Sequence, residues 1–142
     1  MAAVNWSTAA IVPSNSNNLR QMTAYTAIAA GQAVYEDLTN AGKANLADAD
    51  ALESSLVVGI AVNTAKAGEP VSVATAGNTI TASTGTPLTK GTSYFLSGTA
   101  GGLVPEGDLG TDPTTGDYIT FVGVASSTTA LQIYPFASQI TK

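Results

Sequence analysis

The chain has 142 residues, of which 44% are hydrophobic and only 11% are charged, and its formal net charge is −5. It contains no histidine and no cysteine, the side chains that carry out most nucleophilic, acid–base and transition-metal chemistry near neutral pH. Its five basic residues are scattered one by one, so neither nucleic acid nor a membrane is an expected partner. This composition favours a binding or stabilising protein without a cofactor over an enzyme.

The first 24 residues differ in character from the rest of the chain. A polar run at Ser14–Asn18 follows Pro13 and is typical of a loop or a flexible segment. From Tyr25 onward, short alternating stretches are separated by turns rich in glycine. We therefore expect two parts, an N-terminal arm at residues 1–24 and a β domain at residues 25–142.

The single tryptophan lies in this arm, where Trp6 is followed by the apolar pair Ile11 and Val12. Trp6 could pack onto its own domain. Alternatively, because tryptophan is enriched at binding hot spots, Trp6, Ile11 and Val12 could anchor the arm on a neighbouring subunit or on a larger assembly. These three residues are the candidate contact residues that the sequence offers.

The β domain contains two strongly apolar runs and several shorter stretches of alternating apolar and polar residues. Strands are predicted at residues 32–35, 56–62, 71–74, 79–82, 92–96, 118–125 and 130–134. The three strands from 56 to 82 are expected to form a meander, and residues 36–55 to contain one helical turn at most. Because it begins with Pro135, the segment 135–142 should leave the sheet or lie at its edge. The pattern predicts an all-β fold, a small antiparallel β-barrel or β-sandwich with an extended N-terminal arm.

The two apolar runs share a phrase, Val58-Gly59-Ile60-Ala61 in one and Val122-Gly123-Val124-Ala125 in the other. A glycine inside a strand usually marks a bulge, a sharp bend or a close approach of two backbones. Two glycines at matching places therefore predict a curled sheet.

Acidic side chains are the remaining candidates for chemistry. Two groups could contact a hard cation such as calcium: Asp48, Asp50 and Glu53, and Glu106, Asp108, Asp112 and Asp117. Neither group has the spacing of a calcium-binding loop, which favours solvated loop carboxylates and no metal site. A two-carboxylate glycosidase is the enzyme alternative. The glycine-rich segment 97–102 lacks the lysine and the helix of a phosphate-binding loop and is predicted as a hairpin turn.

Several phrases, in their order along the chain, resemble the capsid decoration or cement proteins of bacteriophage heads, of the DUF2190 type. The matching phrases are Ala30–Tyr35, Val57–Ala61, Ala67–Val73, Leu88–Ser97 and Val122–Ala125, and the resemblance covers roughly residues 28–134. It implies a β subunit without catalytic residues that binds the major capsid protein on the outer surface of the head. It also implies a homotrimer at three-fold positions, located in the virion.

A second class of structural protein would have a similar sequence texture. A tail- or fibre-associated adhesion module that binds host surface carbohydrate would also consist of strands rich in Thr, Ser and Gly. An exposed platform of tyrosine or tryptophan would favour this alternative, and binding to empty heads would oppose it.

Overall fold

The computed structural model describes residues 11–14, 18–82 and 88–142. Eleven strands make up about half of this part of the chain. They are β1 (Ile11–Pro13), β2 (Leu19–Thr23), β3 (Ala33–Asp37), β4 (Lys43–Leu46), β5 (Val57–Ala61), β6 (Pro70–Ala74), β7 (Thr79–Ala82), β8 (Ser93–Leu96), β9 (Leu103–Pro105), β10 (Tyr118–Ala125) and β11 (Ala130–Thr141). Leu38–Asn40 and Glu106–Asp108 are single 3-10 turns. The predicted all-β class is confirmed.

The strands form two antiparallel sheets that pack face to face. One sheet has the order β1-β7-β11-β10-β8-β9, and the other has the order β2-β6-β5-β3-β4. The main hydrophobic cluster takes residues from both sheets, including Ile60 and Tyr35 from one and Ile80, Leu131 and Tyr94 from the other. The architecture is therefore a β-sandwich with its core between the sheets.

The five-stranded sheet is strongly curled. A second hydrophobic cluster contains Val34, Val71 and Val73, which lie on strands of this sheet. The two edge strands of the sheet approach each other at one isolated bridge between Ala24 and Ala44. This bridge does not continue into a ladder, so the sheet does not close into a barrel.

Part of the predicted N-terminal arm belongs to the sandwich. Residues 11–13 form β1, which pairs with β7, and residues 19–23 form β2, which pairs with β6 along its whole length. The boundary at residue 24 therefore does not separate an arm from the domain, because two strands on the N-terminal side of it complete the sheets. Residues 1–10, with Trp6, lie outside the described residues, and an arm there stays a prediction.

The C-terminal segment does not leave the sheet at Pro135, in contrast to one of the two predicted outcomes. Strand β11 continues to Thr141 and pairs with β10, with Phe136 opposite Phe121 and Ile133 opposite Gly123. Two residues of β11, Tyr134 and Pro135, thus match one residue of β10, Val122, between these pairs. Proline lacks a backbone N–H, and a bulge is a place in a sheet where that N–H is dispensable.

The predicted meander is correct for two of its three strands. Strands β5 and β6 pair, but β7 crosses to the other sheet and lies between β1 and β11. Asn78 lies at this crossing with its side chain buried, and its carbonyl accepts a hydrogen bond from the N–H of Ile133 at 2.8 Å. Alternating apolar residues specify which face of a strand is buried, but not which strand it pairs with. The pattern of β7 therefore did not reveal that it belongs to the other sheet.

Both glycines of the shared phrase lie at irregularities in the strand pairing. Val34 and Tyr35 of β3 pair with Gly59 and Val57 of β5, so that β5 carries one extra residue. Strand β10 has the same arrangement beside β8, with the extra residue directly before Gly123. A side chain on either glycine would lie less than 3.0 Å from a backbone carbonyl oxygen of the next strand. The predicted bulge and close backbone approach are confirmed.

A buried carboxylate holds the hairpin between β3 and β4. Asp37 is 3% exposed and accepts hydrogen bonds from the side-chain amides of Asn40 at 2.7 Å and Asn45 at 3.0 Å. These hydrogen bonds, that of Asn40 first, lower the pKa of Asp37 below its ordinary value of 3.8. The folded protein therefore stabilises the charged form of this side chain.

We expect Asp37→Asn to be less stable than the parent protein at neutral pH, because the uncharged amide oxygen accepts these two hydrogen bonds more weakly than the carboxylate oxygen does. A lowered folded-state pKa stabilises the fold above the ordinary pKa, and this contribution is lost as the pH falls through the folded-state value. The urea midpoints of the two proteins should therefore differ at pH 7 and converge below about pH 3.8. Asp50→Asn, at an exposed loop residue, is the control; equal midpoints of Asp37→Asn and parent at pH 7 would contradict the role of Asp37.

Candidate interaction surface

Three phenylalanines form a row across the outer face of the six-stranded sheet. Phe121 of β10 is paired in register with Phe95 of β8 on one side and with Phe136 of β11 on the other. Paired residues of neighbouring strands point to the same face of a sheet, so the three rings are neighbours. The rings of Phe95 and Phe121 meet edge to face, with their centroids 5.7 Å apart. Tyr134 is exposed beside this row, two residues before Phe136.

These four residues, Phe95, Phe121, Tyr134 and Phe136, are called the aromatic patch below. Phe136 is 68% exposed and Tyr134 is 52% exposed, while Phe95 and Phe121 are half-buried. Strands β8, β10 and β11, which carry the patch, contain no charged residue. A contiguous exposed apolar surface of this kind is typical of a contact with another macromolecule.

Of the three contact residues predicted from the sequence, the structure describes Ile11 and Val12. Ile11 is 7% exposed and belongs to the main core, because its side chain points from β1 between the two sheets. Its role is therefore packing, and the anchor interpretation of Ile11 is wrong. Val12 is 56% exposed on the opposite side of β1 and is available for contact. Trp6 lies outside the described residues, so its role stays a prediction.

Two residues of the second acidic group, Asp112 and Asp117, accept local hydrogen bonds. Asp112 accepts hydrogen bonds from the hydroxyl of Ser97 and the N–H of Gly98, both at 2.8 Å. Asp117 accepts hydrogen bonds from the N–H and the hydroxyl of Thr114, both at 3.1 Å. Asp112 thus fastens the loop between β9 and β10 to the turn between β8 and β9, whereas Asp117 stabilises a turn within that loop. Residues 97–102 therefore form the expected hairpin turn, and a carboxylate lies where a phosphate would have to bind.

The first acidic group lies at the same end of the sandwich. Burial raises the pKa of Asp48, and the nearby charges of Asp50 and Asp117 raise it further. The N–H of Asp50 donates to the carboxylate of Asp48 at 3.2 Å. Within residues 11–14, 18–82 and 88–142, acidic side chains form no group of three or more that could hold a metal ion.

The aromatic patch was missed by the sequence analysis, although part of its signal is present. Gln132, Tyr134 and Phe136 alternate with the apolar residues Leu131 and Ile133, which places their side chains on the outer face of an extended strand. Because the strand was predicted to end before Pro135, the alternation was not followed as far as Phe136. The alignment of Phe95, Phe121 and Phe136 depends on the register of three strands.

In the described part of the chain, no helix has the length and apolar character needed to cross a membrane. No protein-family model matches the chain, and a search of curated proteins found none with significant similarity to it.

Proposed function

We propose that this protein is a capsid decoration protein, a structural virion component that binds the outer surface of a phage head and stabilises its lattice. The observation that carries the proposal is the aromatic patch, which lies on three strands without charged residues. Such a surface suits permanent contact with another protein better than contact with a small polar substrate.

The position of the patch on paired strands also supports this role. The backbone that carries the patch is fixed by strand pairing over the main core, so no folding of this backbone is needed on contact. A protein that cements a lattice requires such a preformed surface more than it requires a mobile site.

The proposed partner is the major capsid protein, and the proposed unit is a homotrimer, as the resemblance to cement proteins implies. Three weak contacts in one trimer would reinforce one another through their high effective concentration. A subunit that binds the expanded lattice in preference to its dissociated parts would stabilise that lattice by mass action.

The test is co-sedimentation of the purified protein with expanded phage heads that lack it, followed by a count of bound copies. We expect saturable binding at a multiple of three copies per facet, and weaker binding to unexpanded heads. The absence of the protein from the pellet at saturating concentration would overturn the proposal.

A second candidate is the adhesion module for host surface carbohydrate. The observation that favours it is the exposed pair Tyr134 and Phe136, since sugar rings stack on exposed aromatic side chains. A carbohydrate array probed with the labelled protein distinguishes the two candidates. Binding to a glycan together with failure to bind heads would favour adhesion over capsid decoration as the function.

A further inference from the structure

A groove with a volume of about 450 Å³ lies between β2 and the turn that precedes β4. It separates the two edge strands of the five-stranded sheet, which meet only at the bridge between Ala24 and Ala44. The groove is on the other sheet from the aromatic patch. It is called the edge groove below.

The backbone of β2 offers hydrogen-bonding groups to the edge groove. On the side of β6, the N–H of Ala24 donates to the carbonyl of Glu69, and the carbonyl of Asn18 accepts from the N–H of Thr75. Because backbone groups alternate in direction along a strand, those of Gln21 and Thr23 point away from β6 and toward the groove. On this side, the chain just after β2 meets β4 at the bridge between Ala24 and Ala44, where the N–H of Tyr25 donates to the carbonyl of Ala44 at 2.8 Å. The described residues form no strand ladder with β2 on this side beyond this bridge.

The edge groove is positively charged although the chain as a whole is negative. Arg20 and Lys43 are its only charged lining residues among those that the structure describes. Glu36, on the neighbouring β3, forms an ion pair with Arg20 at 2.8 Å, in which both side chains are partly exposed. Because Glu36 offsets the charge of Arg20, the net charge of these three side chains is the positive charge of Lys43. The chain as a whole carries a formal net charge of −5.

We infer that the edge groove binds an extended, acidic segment of a partner protein, which adds to β2 as a further strand. The backbone groups of Gln21 and Thr23 would supply hydrogen bonds that do not depend on sequence, as in other cases of strand addition. The charges of Arg20 and Lys43 would select carboxylate side chains and disfavour basic ones. This inference is independent of the proposed capsid role, since it concerns a different sheet and a different kind of contact.

The test is an NMR titration of the full chain, labelled with ¹⁵N, with the peptide acetyl-Val-Glu-Val-Glu-Val-amide. The matched control peptide carries lysine in place of each glutamate. We expect the glutamate peptide to shift the amide signals of Gln21 and Thr23, and the lysine peptide to bind at least about tenfold more weakly. Equal binding of both peptides, or shifts confined to other residues, would overturn the inference.

Two variants separate the charge contribution from the backbone contribution. Lys43→Gln should weaken binding of the glutamate peptide about threefold, the size typical of an exposed charge pair, whereas the control Lys90→Gln should leave it unchanged.

Gln21→Pro removes an N–H that the pairing with β6 does not use, and proline is tolerated at such edge positions. A folded Gln21→Pro variant should lose the binding; binding at the parent affinity would overturn strand addition. If Gln21→Pro does not fold, the shifts of the Gln21 and Thr23 amides in the parent protein decide the question.

Discussion

Replacing Gly59 or Gly123 with alanine is expected to lower the free energy of unfolding by about 3 kcal/mol or more, the upper part of the range for overpacked sites. The added methyl group would overlap the carbonyl oxygen of Ala74 in one case and of Gln132 in the other. Both oxygens belong to the backbone of a paired strand, so relief of the overlap requires the strands to separate. The midpoint of thermal unfolding should fall by on the order of 10 °C for a domain of this size.

Suitable controls lie in the loop before β10. Gly107 and Gly110 have no atom within 4 Å of the position that an added methyl group would occupy. Alanine at either position should change the free energy of unfolding by less than about 0.5 kcal/mol, as is usual for surface substitutions. Urea unfolding followed by circular dichroism gives all four values. A Gly123→Ala protein as stable as Gly107→Ala would show that the close approach at Gly123 is not maintained in solution.

The parts of the fold that could be predicted from the sequence are those decided by local chemistry. The apolar, β-branched runs specified β5 and β10, and their glycines marked the bulges, because only a residue without a side chain fits where two backbones approach this closely. The buried positions of β11 up to Ile133 follow from the same alternation.

The parts that could not be predicted depend on contacts between distant segments. Strand β7 shows the same alternation whether it pairs with β6 or with β11, so its sheet could not be known in advance. An apolar residue such as Ile11 can lie on an arm or in a core, and only the pairing of β1 with β7 places it in the core. The aromatic patch requires the register of β8, β10 and β11, which two bulges shift.

Replacing Tyr134 and Phe136 with serine is expected to abolish most binding to expanded heads while the domain stays folded. Both side chains are more than half exposed, so their loss should change the free energy of unfolding by less than about 0.5 kcal/mol. A buried aromatic hot spot at an interface contributes about 2 kcal/mol, which corresponds to roughly a 30-fold loss of affinity for each residue. The double variant should therefore not sediment with heads at concentrations that saturate the parent protein.

The matched control is Leu38→Ser, which removes an apolar side chain that is 71% exposed on the turn between β3 and β4, in the other sheet. If the aromatic patch is the contact surface, Leu38→Ser should bind heads as the parent protein does. Val12→Ser provides a second comparison, because Val12 shares the six-stranded sheet but lies outside the patch. Loss of binding in Val12→Ser with retention in the Tyr134/Phe136 variant would move the contact surface to the β1 edge and to the adjoining N-terminal residues, where Trp6 lies. Loss in the Tyr134/Phe136 variant alone would assign the contact to the aromatic patch, because each control removes an exposed apolar side chain from elsewhere on the molecule.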